Sequence, residues 1–265
     1  MTISSPFYSD DHEAFRSVVQ QFAKNEIIPN IQEWEQAGEV PRELYKKAAS
    51  IGLFGDGFEE AYGGHGQRDA VLRMVIMQEL AMAGSGGVVA SMLSNYIGLP
   101  PIQRFGSDEI KVKVLTPCLA GDAVAALAIT EPGGGSDVAR IQTFSRRDGG
   151  EFIVNGQKTF ITSGMHADFL TVAVRTGEEG ARGISMLLIE GDRKGVERTR
   201  LDKMGWLSSD TATLYFDDVR VPVENLIGEE GTGFSSIVNN FNAERIDMAA
   251  QSIAFARACY QEALE

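Results

Sequence analysis

Cysteine and histidine are scarce in this chain: two and three among 265 residues. Cys118 and Cys259 lie far apart, in segments of different type, and read as two buried thiols rather than a disulfide. His12, His65 and His166 have no metal-ligand spacing with each other or with cysteine, so no bound metal is expected. No apolar run is long enough to span a bilayer. There is no internal repeat and no low-complexity tract. The first ten residues lack the basic start and apolar stretch of a secretory signal, so a cytoplasmic protein is expected. Positive charge is also short, 24 Lys and Arg against 37 Asp and Glu, a net −13. That balance argues against nucleic acid as the main partner, although a few local arginines can still hold a small anionic substrate. No Walker loop and no strand–GxGxxG–helix unit is present, which excludes a nicotinamide-binding Rossmann reading.

What is present divides into blocks. Apolar residues make up 43% of the chain, enough for a packed core. Asp10 and Glu13 have capping-box spacing, and Phe15, Val18, Val19, Phe22 and Ala23 recur at helical period until Pro29 interrupts. Pro41 suits the first turn of the next helix and Gly52 its end. Arg68 to Ala83 reads as an amphipathic helix with Val71, Leu72, Val75, Ile76 and Leu80 inward. Val88 to Ile97 reads as a buried helix, broken by Pro100, Pro101 and Gly106, with a short closing helix from Asp108 to Leu115. The stretches 124–129, 152–154, 170–175, 184–189 and 213–216 are instead short, β-rich and bounded by Gly, Asp and Asn. Helical period returns at Phe234 and continues to Glu265. Helix, strand and helix in blocks is an α+β arrangement. The expected domains are an N-terminal helical domain over 1–122, an antiparallel β-barrel or sandwich over 123–230, and the first helix of a further helical bundle over 231–265.

Three segments carry the chemistry. Ala128-Ile129-Thr130-Glu131-Pro132-Gly133-Gly134-Gly135-Ser136-Asp137 follows a β-type stretch. Its glycines allow close approach of another molecule, and its amides and Ser136 can meet an anion; alone it reads equally as a loop closing a β-turn. Lys158-Thr159-Phe160-Ile161-Thr162-Ser163-Gly164, after a hairpin expected over Phe152 to Gly156, puts an aromatic ring and a hydroxyl on one strand face. Alone, Phe160 is more simply a core aromatic. Lys203 to Thr211 then leads into Leu214-Tyr215-Phe216-Asp217 and Val219-Arg220-Val221-Pro222. In this order and spacing the three segments resemble the acyl-CoA dehydrogenase family of flavoproteins, from near Tyr8 to the last residue.

The resemblance implies FAD on the β-domain. Thr130 would bond the isoalloxazine edge, Ser136 would meet the pyrophosphate, Phe160 would lie against the ring and Thr162 near N5; Leu127, Ile129, Gly135 and Ile161 complete the cofactor set. Many relatives carry Trp at the place of Phe160 and Asn at that of Ser163. The acyl-CoA pocket is implied along Ala90, Leu93, Ser94 and Ile97, with Ser136, Phe241, Asn242 and Arg245.

On the last helix, Phe234, Ile237, Val238, Phe241, Met248 and Phe255 form an apolar stripe. At 100° per residue Glu244 falls at its edge and Arg245 in its middle. A charged pair on an apolar face needs partners, though helical charges are most often solvated. Asn242-Ala243-Glu244-Arg245-Ile246 resembles the isovaleryl- and long-chain-like branch, whose catalytic carboxylate lies here. Glu244 is therefore the expected base, and Arg245 the expected shaper of the cleft. The implied reaction is α,β-dehydrogenation of an acyl-CoA thioester to trans-2-enoyl-CoA. Electrons leave through an electron-transfer flavoprotein, and the implied assembly is a homotetramer. The family continues with several more helices, so most of its C-terminal helical domain is expected to be missing. The rival readings are a flavin monooxygenase or oxidase on the same fold, and a non-catalytic truncated fragment.

Overall fold

The structure is a computed structural model and describes residues 6–264. Helix α1 (Asp10–Phe22) is capped by Ser9, one residue before the expected cap at Asp10. The Ser9 side chain accepts the His12 amide and the Ser9 amide donates to His12 Nδ1. Asp10 and Glu13 lie inside the first turn, where negative charge favours the helix dipole. Pro29 does not end the helical path. A π-turn, Ala23–Ile27, and a 3-10 turn, Ile28–Asn30, absorb it before α2 (Ile31–Ala37).

Pro41 sits at the cap of α3 (Arg42–Ser50) rather than in its first turn, and Gly52 follows at φ +80. In α4 (Ala70–Ala81) Val75, Ile76 and Leu80 are buried as expected, but Val71 and Leu72 are only half-buried. Arg73 and Glu79 are buried instead. The expected single helix over 88–97 is two pieces, α5 (Gly86–Met92) and α6 (Asn95–Gly98). Pro100 and Pro101 then open α7 (Pro100–Phe105) rather than break a helix, because a first turn needs no proline N–H. Helix α8 runs Asp108–Leu119, through Pro117.

The eight strands among the described residues are β1 (Ala125–Ala128), β2 (Phe144–Asp148), β3 (Glu151–Thr162), β4 (Phe169–Arg175), β5 (Ile184–Glu190), β6 (Val196–Arg200), β7 (Thr211–Pro222) and β8 (Leu226–Ile227). They form one sheet in the order β6-β7-β3-β2-β4-β5-β8, with β1 beside β4. Pairing is antiparallel except β1 with β4 and a single β2–β4 pair. Strands β2, β6 and β8 have no counterpart among the expected ones. FSRRD and VERTR carry little apolar signal, and two residues are too few to show a period. The hairpin expected to close at Gly156 turns at Gly149 and Gly150 instead, and β3 runs on through Gly156. A bulge there sets Gly156 at φ +139, where a Cβ would lie 2.7 Å from Thr143.

Strands β4 and β5 are buried on both faces, which explains their unbroken apolar runs. Ala173, Ile184, Met186 and Leu188 join the core shared with the helices. Leu170, Val172, Val174, Leu187 and Ile189 join Phe152, Val154, Leu214 and Phe216 in a second core. Helix α6 is tied to the sheet by Asn95 Oδ1, which accepts the Ala125 amide, and by Gly98 O, which accepts Thr171 Oγ1.

The last helix, α9 (Gly233–Leu264), packs along α4. Its buried face is not the expected stripe. Ser236, Ile237, Asn240, Asp247, Ala250, Gln251 and Ala254 are buried; Phe234, Phe241 and Phe255 are half-buried, and Val238 and Met248 are exposed. Arg245, expected mid-stripe, is exposed, and so is Cys259, expected to be buried; Cys118 is buried. No helix among the described residues is long and apolar enough to cross a membrane.

Candidate functional site

Where α6, β1, β3 and α9 meet they enclose a cavity of about 230 Å³. Leu127, Ile129 and Thr130 form one wall, from β1 and the loop after it. Phe160, Ile161 and Thr162 form the second, from the end of β3. Ser94 and Ile97 close it from the helices, and Phe241 and Glu244 from α9. Ten residues proposed from sequence thus share one space. Six others do not line it. Ala90 is half-buried on α5, and Leu93, at the end of that helix, is buried in the core. Gly135 and Ser136 are exposed on their loop, and Asn242 and Arg245 are exposed on α9, where Arg245 Nη1 donates to Asn242 Oδ1 at 2.8 Å.

The second wall is shaped by backbone irregularity. The β3–β7 register shifts between Lys158 and Ile161, and Phe160 takes φ +59. A non-glycine residue in this region is uncommon. The bulge turns the Phe160 ring outward, leaving it 70% exposed, while Ile161 stays buried. Ser163 is left-handed too, at φ +58.

Beneath the bulge lies a feature not anticipated from sequence. Lys158 is fully buried, and its Nζ donates to Ile129 O at 2.9 Å and Glu131 Oε1 at 2.8 Å. Glu131 also accepts the amides of Gln142 and Thr143. Burial pulls the lysine down to about 8 against the opposing pull of Glu131. On Glu131 burial acts upward, but Lys158 and the amide donors hold the carboxyl below its usual value. This pair joins the two walls directly behind Thr130 and Phe160.

Glu244 is the only ionisable side chain in the lining, among the described residues. Burial pushes its carboxyl up to about 7, Asp247 adds to the rise, and Arg245 opposes it. Asn240 Nδ2 donates to Glu244 Oε1 at 2.7 Å and to Ile97 O at 3.1 Å. Asn240 and Asp247 had no signal in the apolar pattern. They are visible only as the polar positions one turn either side of Glu244.

Residues 9–122 match the acyl-CoA dehydrogenase N-terminal domain and residues 126–219 the acyl-CoA dehydrogenase middle domain. The mitochondrial long-chain specific acyl-CoA dehydrogenase of Sus scrofa is 37% identical over 259 residues, covering 96% of this chain and 60% of that protein. A crystal structure of a probable acyl-CoA dehydrogenase from Mycobacterium abscessus is 44% identical, with TM-score 0.92, over 95% of this chain and 67% of that one. A glutaryl-CoA dehydrogenase from Mycobacterium smegmatis in complex with FADH2 is 29% identical, with TM-score 0.88, over 96% and 64%. The chain therefore spans about 60% of the length of the curated relative.

Proposed function

The chain belongs to the acyl-CoA dehydrogenase family, and from that premise we propose that it dehydrogenates an acyl-CoA thioester at the α and β carbons, giving a trans-2-enoyl-CoA. FAD is the proposed cofactor and an electron-transfer flavoprotein the proposed acceptor of its electrons. The residues present suit a flavin. An isoalloxazine is flat and apolar on its faces and polar at its edge. The cavity offers the open Phe160 ring beside Leu127, Ile129 and Ile161. The hydroxyls of Thr130 and Thr162 stand at the same walls with no hydrogen-bond partner among the described residues. On the loop, an added Cβ at Gly133 or Gly134 would meet nothing within 4 Å, so the backbone lies open to a ligand. The bound flavin supplies the hydride acceptor.

The observation that carries the reading is Glu244, a single carboxylate in an otherwise uncharged cavity opposite that wall. A base works best when its pKa lies near the working pH, and Glu244 is held at about 7. It removes the α-proton, while Asn240 fixes one carboxylate oxygen. Ser94 Oγ is buried without a hydrogen-bond partner among the described residues and can donate to a substrate oxygen. Arg245 and Asn242, exposed on α9, are the proposed contacts for the polar CoA portion. Fatty-acid metabolism and a homotetramer complete the reading on the strength of the family likeness. The test is anaerobic mixing of flavin-loaded protein with acyl-CoA while flavin absorbance is followed. Glu244→Gln should slow bleaching by ~10²–10⁴-fold, the usual loss on removing a general base. An unchanged rate would remove Glu244 from the chemistry.

A further inference from the structure

Glu244 borders a second cavity, of about 340 Å³, on the side facing α4 and α7. We propose that two residues of this second cavity govern the Glu244 carboxyl: Asn240 positions it, and Asp247 acts as a like charge that biases it toward its protonated form. The inference rests on Glu244 being the base.

The geometry comes from the charges around Glu244. On α9 these are Arg245 and Asp247. From α4 comes Arg73, with Arg68 just before that helix; Asp56 lies after α3, Tyr96 on α6 and Arg104 on α7. Arg73 is committed mainly to Asp56, with Nε 3.3 Å from Oδ2 and Nη2 3.5 Å from the carbonyl, and its guanidinium lies 3.1 Å from the Tyr96 ring centroid. Asp247 gets what remains. Its Oδ2 is 3.6 Å from Arg73 Nη1 and its Oδ1 is 3.9 Å from Arg68 Nη2. Oδ1 is buried with no hydrogen-bond partner among the described residues. Asp247 is thus a buried and weakly compensated carboxylate three residues from Glu244, on the same side of α9, so its field reaches the base. Burial raises Asp247 itself, and the two arginines oppose the rise. Asn240, one turn the other way, bridges Ile97 O and Glu244 Oε1. An amide donor favours the charged carboxylate and a like charge disfavours it. The two neighbours therefore pull in opposite senses.

A merely structural polar network between α4 and α9 would not produce opposed titration shifts. The test is a carbon-13 NMR titration of the glutamate side-chain carboxyls in the chain as it stands, with the Glu244 signal assigned by its loss in Glu244→Gln. Asp247→Asn should lower the Glu244 midpoint by about one pH unit or more, and Asp247→Glu should restore it. Asn240→Leu should raise the midpoint. A folded Asp247→Asn protein with an unmoved midpoint overturns the inference, as does a shift of the same sign in Asn240→Leu. No cofactor or turnover enters this measurement, so it is decided separately from the bleaching experiment that tests Glu244 as base.

Discussion

Lys158 shows how one side chain supports the proposed site without lining it. It lies two residues before Phe160, yet it points away from the cavity and is fully buried against Glu131. Burying an ammonium is costly unless it is paired and hydrogen-bonded. Here it meets a carboxylate and a carbonyl, and the carboxylate holds two further amides. Lys158→Met should therefore destabilise the fold by about 3 kcal/mol, because it leaves a buried Glu131 without its counter-charge. Urea unfolding followed by circular dichroism measures this, and a change within experimental error would show that the pair is dispensable. The sequence presented Phe160 and Thr162 by strand alternation, and both do line one wall. The bulge and positive φ that turn Phe160 outward depend on pairing with β7, which local sequence does not encode.

At the scale of elements, Glu190 joins parts of the chain that lie far apart. It ends β5, contacts Lys113 of α8, accepts from Arg193 Nε at 2.7 Å and receives the Asn225 amide at 3.2 Å. Burial alone would raise its carboxyl, but Lys113 and Arg193 more than reverse this and hold it at about 2. A carboxyl lowered by folding stays ionised in the native state where the unfolded chain has taken up a proton. Its contribution is complete above the ordinary value of 4.5 and is lost as pH falls toward 2. Discounted for partial exposure, it is about 1–2 kcal/mol. Glu190→Gln should lower the melting temperature at pH 7, and the gap from the parent should narrow below pH 4.5 and close as pH falls through about 2. A gap independent of pH would show that the clamp is not ionic. The helix pattern was legible for α1 and α4 because apolar residues recur at helical spacing, although Arg73 and Glu79 share the buried face of α4. It failed for α9, whose buried face carries Asn240, Asp247 and Gln251; Asp247 faces Arg73 of α4, and Asn240 is held inward by Ile97 O.

For the whole molecule, charge and exposed apolar surface act against each other. Along α9, Ile246, Ile253, Tyr260 and Leu264 are each 47% exposed or more. A contiguous exposed apolar face favours association, while a net charge of −13 opposes it by mutual repulsion. Screening shortens the reach of that repulsion. Self-association of the chain should accordingly increase with salt and fall in Ile253→Glu, as read by sedimentation velocity at several concentrations. A monomer at all ionic strengths would show that this face does not drive association.

Composition and motif order sufficed for the α+β arrangement, the family and most of the residues around the candidate cavity. Those signals are local, resting on periodicity within a helix or strand and on glycine, hydroxyl and aromatic residues at short spacing. Tertiary structure alone decided which apolar residues of α9 face inward, that Lys158 is buried behind the proposed flavin wall, and that Glu244 stands between two cavities. Each of these depends on charges and backbone groups brought together from distant parts of the chain. The energy of burying a charge is set by those neighbours rather than by the residues beside it in sequence.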